Sequence, residues 1–456
     1  MAESFDCIVI GSGPGGYVTA IRAAQLGMRT AVVEKDTVGG RCLNVACIPA
    51  KAVLRVADIL SEVDEAGEFG IDVAGRTVDF GRVSERRQKV IKTLTGGVAG
   101  LFKKNKVEYI EGVGTLTGGR TVRVGDRELE ASKCIVLATG SVPLPVPGTS
   151  FGGRVIGTEE AWALPELPGS LAVLGAGASG AEIASAYARL GSEVHLFEAL
   201  DRVLPTEDAD ISKLVQRGLG KQQIKVHTNT LVKDVVGGDD GVTFSFGDDQ
   251  GSADFLVIAA GRAPDVEALG LDAAGVKTGE RGLIEVDGHL ATSAEGIYAI
   301  GDLVPGPALA HKASDEGVIA VEHAAGLEVH PLEHADIPRA TFCTPNVASF
   351  GLTEQQARDA GHDVVVGKVQ YGAVGAGTVY GDRQGLIKVV GEKKYGELIG
   401  GHIVGAKATE LIQELVNVRA LEGGYQEVAR IVHGHPTLSE GVMEAARAAD
   451  GWLIHG

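Results

Sequence analysis

Two stretches of the chain repeat one pattern of glycines, and that repeat limits the fold more than any other feature. "DCIVIGSGPGGYVTAIRAAQLGMRTAVVEK" (6–35) and "LAVLGAGASGAEIASAYARLGSEVHLFEA" (171–199) each run from an apolar strand into G-x-G-x-x-G, then a helix, then a second strand ending in an acid. Superposing Gly11 on Gly175 brings Gly13 onto Gly177, Gly16 onto Gly180, Gly27 onto Gly191 and Glu34 onto Glu198. In such a βαβ unit the first glycine makes a tight turn, the second lets a pyrophosphate approach the backbone, and the third packs helix against strand. The helix N-terminus attracts the phosphate charge, and the terminal carboxylate accepts hydrogen bonds from a ribose. One such motif is a weak signal, since glycine turns also serve packing alone. Two complete copies, each with its acid, predict an α/β chain with two Rossmann-like dinucleotide-binding domains.

The chain has 456 residues, 44% of them apolar, and 66 glycines, which is room for three or four domains with large cores. Asp and Glu number 60 against 42 Lys and Arg, a net charge of −18. That balance argues against nucleic acid or an anionic membrane as a partner. "MAESFDCIVIGSG" enters a strand pattern without a cationic leader, and no apolar run is long enough to cross a bilayer. Five scattered cysteines do not make a secreted disulfide framework, so the expected location is cytoplasmic.

Two of those cysteines stand together in "GGRCLNVACIPAK" (39–51). Zinc sites and thioredoxin-like sites use C-x-x-C, whereas four residues separate Cys42 from Cys47. On a regular helix the two would be about 7.5 Å apart along the axis, beyond the usual reach of a disulfide. The pair must therefore lie on a distorted turn or stay unbridged. Cys7 and Cys134 fall in apolar strand runs and read as packing residues; Cys343, in "ATFCTPNVASFGLTE", is expected on a strand with no chemistry. No metal site is expected, because the histidines and cysteines match no zinc spacing.

"KCIVLATGS" (133–141) and "GIYAIGDLVPGPALAHKASDEG" (296–317) resemble the second and third signatures of the FAD-dependent pyridine nucleotide–disulfide oxidoreductases. "GGRCLNVACIPAK" resembles the redox-active disulfide segment of the dihydrolipoamide dehydrogenases in that family, and "HGHPTLSE" (433–440) their acid–base segment. The resemblance runs in order along essentially the whole chain. It implies FAD in the first fingerprint (Gly11, Gly13, Gly16, Glu34), with Gly140, Asp302 on the ribityl chain, and Ala310. It implies NAD in the second (Gly175, Gly177, Gly180, Glu198), with Arg262 near the nicotinamide nucleotide. Glu198 would repel a 2′-phosphate, although Arg202 follows four residues later. Cys42 would be the thiol that exchanges with substrate sulfur, and Cys47 the thiolate next to the flavin. Lys51, one helical turn after Cys47, would pair with Glu182. His435 with Glu440 would handle protons, reaching the cysteines of the other subunit of a homodimer.

The implied reaction is oxidation of dihydrolipoyl groups by NAD through the Cys42–Cys47 disulfide and FAD. The implied partner is a lipoyl-bearing acyltransferase or carrier protein of a 2-oxoacid dehydrogenase or glycine cleavage complex. A glutathione-like reductase would want cations where Glu198 stands, and a mercuric-like one carries a further C-terminal cysteine pair. A mainly structural docking subunit would not need Cys42, Cys47, His435 and Glu440 together. The expected domains are FAD-binding (1–150, with a helical insertion near 84–106), NAD-binding (151–270), a central segment returning to the flavin (271–335) and an α+β interface or dimerisation domain (336–456). The proline-rich "VPLPVPG" (142–148) reads as a connection. Arg41, Ala46, Ala50 and Ala178 depart from the family's usual threonine, glycine, serine and bulkier residue. Arg41 is expected to lower the Cys42 pKa or to contact substrate.

Overall fold

The computed structural model describes residues 2–456. The chain forms two compact units, the first from Met1–Ala52, Gly81–Leu144 and Gly261–His334. Its seven-stranded sheet runs Glu108–Glu111, Thr30–Glu34, Glu3–Ile10, Arg127–Leu137, Thr121–Val124, Gly114–Gly118, with Ile297–Ala299 also pairing Arg127–Leu137. Cys7 to Ile10, Thr30 to Glu34 and Cys134 to Leu137 are buried throughout, as expected of parallel strands covered on both faces. Each fully buried Ile, Leu or Val side chain contributes roughly 1.5–3 kcal/mol, so this run of strands is the main support of the unit.

Parallel register sets Ile10 beside Leu137, and Leu137 beside Ala299. Three strands therefore end together, and each continues into a turn that bears expected site residues: Gly11–Gly13, Gly140 and Gly301–Asp302. Ligands of open α/β sheets bind at this carboxyl edge. The helix Pro14–Gln25 follows the first turn, with proline in its first turn, where a missing N–H costs nothing.

The second unit comprises Val53–Phe80, Pro145–Ala260 and Ala335–Gly456. It holds a five-stranded parallel sheet in the order Lys225–His227, Glu193–Phe197, Ser170–Leu174, Phe255–Ile258, Val155–Gly157, and a three-stranded antiparallel sheet over 232–253. A five-stranded antiparallel sheet follows: Arg339–Thr341, Val347–Gly351, Leu398–Val404, Leu386–Glu392, Val364–Gln370. The helix Ser439–Ala449 packs on it through Val442, Ala445 and Ala446. The approach is close enough that a Cβ on Gly367 would stand 1.8 Å from the Ala445 carbonyl oxygen.

Three local expectations change, and the reading of Cys7 and Cys134 holds. The proline-rich connection begins as a strand, Ser141–Pro143, which pairs antiparallel with Arg262–Pro264, so residues 262–264 join the first unit rather than the second fingerprint domain. The insertion helix is Phe80–Asn105, starting four residues earlier than its charged run suggested. Cys343 is buried, but on the connection between the strands Arg339–Thr341 and Val347–Gly351 rather than in a strand. Cys7 and Cys134 are buried strand residues and are direct neighbours in register.

Candidate active site

The cysteine segment is a helix broken in the middle. Gly40–Asn44 forms one short turn, Val45 leaves helical geometry at φ −133°, and a new helix, Cys47–Glu65, starts at the second cysteine. The amides of Val45 and Ala46 both donate to the Arg41 carbonyl, at 2.9 and 3.0 Å. This reset brings the thiols into hydrogen-bond contact, which a continuous helix forbids. The turn is distorted, and the two cysteines are unbridged in this structure.

Their environments differ sharply. The Cys47 thiol is lowered to about 7, first by the hydrogen bond from Cys42, against burial, with help from the charges of Lys51 and Arg41 and from a backbone N–H. Cys42, the donor in that bond, is pushed up by it, by burial and by the Cys47 charge, while Lys51 and Arg41 pull the other way. One proton shared between two sulfurs thus leaves Cys47 as the thiolate.

The first fingerprint turn abuts this segment. A Cβ on Gly40 would lie 2.7 Å from the Gly13 Cα, so the backbones touch where neither residue has a side chain. Ser12 links them further. Its N–H and hydroxyl both donate to Glu34 Oε2 at 2.7 Å, and its Oγ accepts the Gly39 N–H at 3.1 Å. Glu34 Oε1 accepts the Asp36 N–H at 2.9 Å. In the second fingerprint Glu198 does the same work, accepting Ala176 N–H at 2.8 Å and Leu200 N–H at 2.9 Å. Each carboxylate staples its own turn and keeps lone pairs for a ribose. Arg202 approaches Asp201 at 3.9 Å.

Both turns fit a dinucleotide. Gly13 and Gly177 are the N-caps of Pro14–Gln25 and Ala178–Leu190, and a Cβ on either would meet nothing within 4 Å, which leaves the helix N-terminus open to a phosphate. Gly16 and Gly180, by contrast, press on the preceding turn: their Cβ atoms would fall 1.9 and 1.8 Å from the carbonyl oxygens of Gly11 and Gly175.

Around Asp302 the structure adds a residue that sequence reasoning did not single out. Ser141 Oγ donates to Asp302 Oδ2 and accepts from Arg262 Nε at 2.8 Å, while Arg262 Nη2 reaches the Ser141 carbonyl at 2.5 Å. Arg262 thus reaches the Asp302 carboxylate through Ser141. Gly140 has φ +77°, and Ala310 opens the helix Ala310–Ala324 with no side-chain cap. Glu182, buried on the second fingerprint helix, accepts the Phe342 N–H at 2.9 Å.

In the other unit His435 Nδ1 meets Glu440 Oε1 at 2.9 Å, and Glu440 Oε2 accepts the Thr437 N–H at 2.8 Å. The His435 side chain is 76% exposed, so its second nitrogen faces outward from a fixed ring. Burial raises the Glu440 pKa, but hydrogen bonds from Thr437 and His435 leave it lowered, so the carboxylate stays charged. His433, two residues earlier, has both ring nitrogens against acceptors: Ile431 O at 2.8 Å and Glu414 Oε1 at 2.5 Å. That bond to Glu414 raises its pKa and anchors the segment that carries His435.

The chain matches the sequence profile described as "Pyridine nucleotide-disulphide oxidoreductase" over residues 5–317, and that of the same family's dimerisation domain over 337–446. It belongs to this family. The dihydrolipoyl dehydrogenase of Bacillus subtilis (strain 168) is 42% identical over 460 residues, spanning 99% of this chain and 97% of that protein. That of Mycobacterium bovis is 43% identical over 461 residues, 99% of each. Among solved structures, LpdA from Mycobacterium tuberculosis superposes with a TM-score of 0.90 at 27% identity, covering 97% of this chain and 99% of that one. A Cu(II) complex of the HOCl-induced flavoprotein disulfide reductase RclA from Escherichia coli gives 0.88 at 28%, covering 98% and 99%.

The enzyme is therefore a disulfide oxidoreductase that uses FAD and NAD, with the fold expected from the paired fingerprints and the cofactors implied by the resemblance. Among the described residues no cluster of three or more His, Cys, Asp or Glu is arranged for a metal, and no helix is long and apolar enough to cross a membrane. Ser12, Ser141 and Glu414 escaped sequence reasoning because their partners lie 22, 161 and 19 positions away with no motif to join them.

Proposed function

We propose that the enzyme oxidises dihydrolipoyl groups on a carrier protein of a 2-oxoacid dehydrogenase or glycine cleavage complex and passes the electrons to NAD. The observation that carries the reading is the polarised pair of thiols, one a good leaving group and the other an exchanging thiol, set in the broken helix beside the first fingerprint turn. The curated relatives at about 40% identity over full length bear the same name, dihydrolipoyl dehydrogenase, which supports the substrate.

In the oxidised enzyme Cys42 and Cys47 form a disulfide. A substrate thiolate attacks Cys42 Sγ; the S–S bond breaks, and Cys47 leaves as a thiolate, which its pKa of about 7 favours. The second substrate sulfur then attacks the first, closing the lipoyl disulfide and releasing Cys42. Two substrate S–H bonds are lost, so two protons must go elsewhere. The Nε2 of His435 takes one of them, with Glu440 holding the ring and stabilising its cation, and the released Cys42 sulfur takes the other, leaving Cys42 as the thiol and Cys47 as the thiolate. His435 does this for the cysteine pair of a second copy of the chain, which the dimerisation domain brings in. The first fingerprint and Asp302 would hold FAD and the second fingerprint NAD, and the bound flavin would supply the redox chemistry that links the cysteine pair to the nicotinamide. Glu198 selects NAD over a 2′-phosphorylated cofactor by repulsion.

The test is anaerobic: dihydrolipoamide is added to the flavoprotein, and the visible spectrum is followed before and after NAD. A long-wavelength band from the Cys47 thiolate against flavin, then stoichiometric NADH, is the expected result. Flavin binding without the band or NADH would overturn the substrate, and glutathione disulfide or mercuric ion with NADPH would be tried next.

A further inference from the structure

The turn that presents Asp302 is held by two charges that no step above uses. After the strand Ile297–Ala299 the chain turns at Gly301, whose φ is +73°. Both peptide units flanking its Cα are taken. The Gly301 N–H donates to Glu316 Oε2 at 2.7 Å, and the Gly301 carbonyl, part of the amide that leads into Asp302, accepts from Lys312 Nζ at 3.0 Å. Lys312 and Glu316 lie one turn apart on Ala310–Ala324, 2.8 Å from each other, with side chains 0% and 1% exposed. The loop beyond Asp302 closes over them. A Cβ on Gly306 would stand 2.6 Å from both Lys312 Cε and His334 Cε1, and His334 Nε2 comes within 3.8 Å of Glu316 Oε1.

A buried ion pair is a poor way to gain stability, because apolar residues of equal volume do as well or better. A turn's N–H and carbonyl can also be met by uncharged groups. What charge adds is stronger hydrogen bonds, here on both sides of one Cα, and so a stiff backbone at one point. That point is followed by Asp302, whose side chain is gripped from the other side by Ser141.

We propose that Lys312 and Glu316 are positioning residues for FAD, clamping the Gly301 turn so that Asp302 meets the ribityl hydroxyls. This rests on the reading of Asp302 as a flavin contact. Neither residue touches a reacting atom; both act through Asp302.

The test uses apo-protein prepared by flavin removal and reconstituted with FAD. K312M/E316Q removes both charges, so no lone charge is left buried. Its apo-protein should unfold within a few degrees of the parent, bind FAD at least about tenfold more weakly (~1.4 kcal/mol), and show a flavin absorption envelope closer to that of free FAD. D302A should weaken FAD at least as much. Because the pair acts through Asp302, adding K312M/E316Q to D302A should cost less than about twofold more. FAD affinity within about twofold of the parent in K312M/E316Q, beside a weakened D302A, overturns the proposal; so do losses that simply multiply in the triple variant. If D302A itself binds FAD like the parent, the ribityl reading falls and the proposal with it. Should the double variant not fold, K312Q/E316Q keeps an uncharged donor and acceptor near Gly301 and leaves no lone charge buried. It should weaken FAD about threefold or more, and only while Asp302 is present; an unchanged affinity overturns the proposal.

Discussion

Cys47 owes its low pKa to one atom more than to any other, the Sγ of Cys42. Lys51 and Arg41 add charge at longer range, and the helix that begins at Cys47 adds an amide. If the hydrogen bond leads, its loss should show directly. In the reduced protein the ultraviolet thiolate absorbance should rise with a midpoint near pH 7, the value of about 7 held by Cys47. C42A should move that midpoint up by about one unit or more, toward a free thiol near 8.5. C42S, which keeps a hydroxyl donor, should move it less. Equal midpoints in all three proteins would transfer the control to Lys51 and Arg41. The identity of the two cysteines was legible in the sequence, but which of them is the thiolate was not a matter of spacing. It depends on a break at Val45 that only the folded backbone displays, and residue by residue only the resemblance pointed to Cys47.

At the scale of elements, the second unit is pinned by a buried lysine. Lys388 lies in the strand Leu386–Glu392 and is 2% exposed; its Nζ reaches Asp208 Oδ1 and Oδ2 at 2.8 Å, Asp210 Oδ2 at 2.9 Å and Glu354 Oε2 at 2.9 Å. Asp208 is the N-cap of the helix Ala209–Lys221, so one side chain joins a strand of the antiparallel sheet to a helix of the nucleotide fold. K388M would leave Asp208, 3% exposed, without its cation, and should cost about 3 kcal/mol of unfolding free energy. The pH dependence has a definite sign. Burial opposes ionisation of Asp210, but hydrogen bonds from Lys368 and Lys388 leave its pKa lowered; the bond from Lys388 leads in lowering Glu354. Those contributions are present above the unfolded carboxylate values near 4 and fade as pH falls through the folded ones. Burial lowers Lys388 and its three carboxylates raise it, with a net rise. Its contribution is complete below about 10.4 and fades above that, as pH climbs through the folded value. Denaturant titrations of parent and K388M should therefore differ by a constant amount from about pH 5 to 10 and converge in acid. A difference that grows in acid would contradict the assignment. The paired βαβ units were readable because local spacing repeats them. This cluster was not, because "GLIKVVGE" reads as an apolar strand with one misplaced lysine, and its acids come from two other segments.

For the whole molecule, the informative residue is the one left exposed. We read the fixed His435 ring, its Nδ1 satisfied by Glu440 and its Nε2 turned outward, as the proton acceptor of the reaction. The resemblance assigns it to the other subunit's cysteines, and the matched dimerisation domain makes a symmetric dimer the natural way to deliver it. H435A should lower turnover with dihydrolipoamide by about 10²–10⁴-fold, the range for a lost general base, while FAD binding stays intact. C42A/C47A should be inactive for want of a disulfide. The two variants, unfolded and refolded together with FAD, discriminate between one-chain and two-chain sites. If a site takes its cysteines from one subunit and its histidine from the other, each mixed dimer has one complete site and one doubly defective site. With random pairing the mixture should recover about a quarter of the parent activity per chain, since half the dimers are mixed and half their sites work. If the histidine served its own subunit's cysteines, every site in every dimer would lack one component, and the mixture would be as inactive as its parents. Recovery that disappears on dilution and returns on concentration would tie the activity to subunit association, because the missing imidazole can then come only from the other chain.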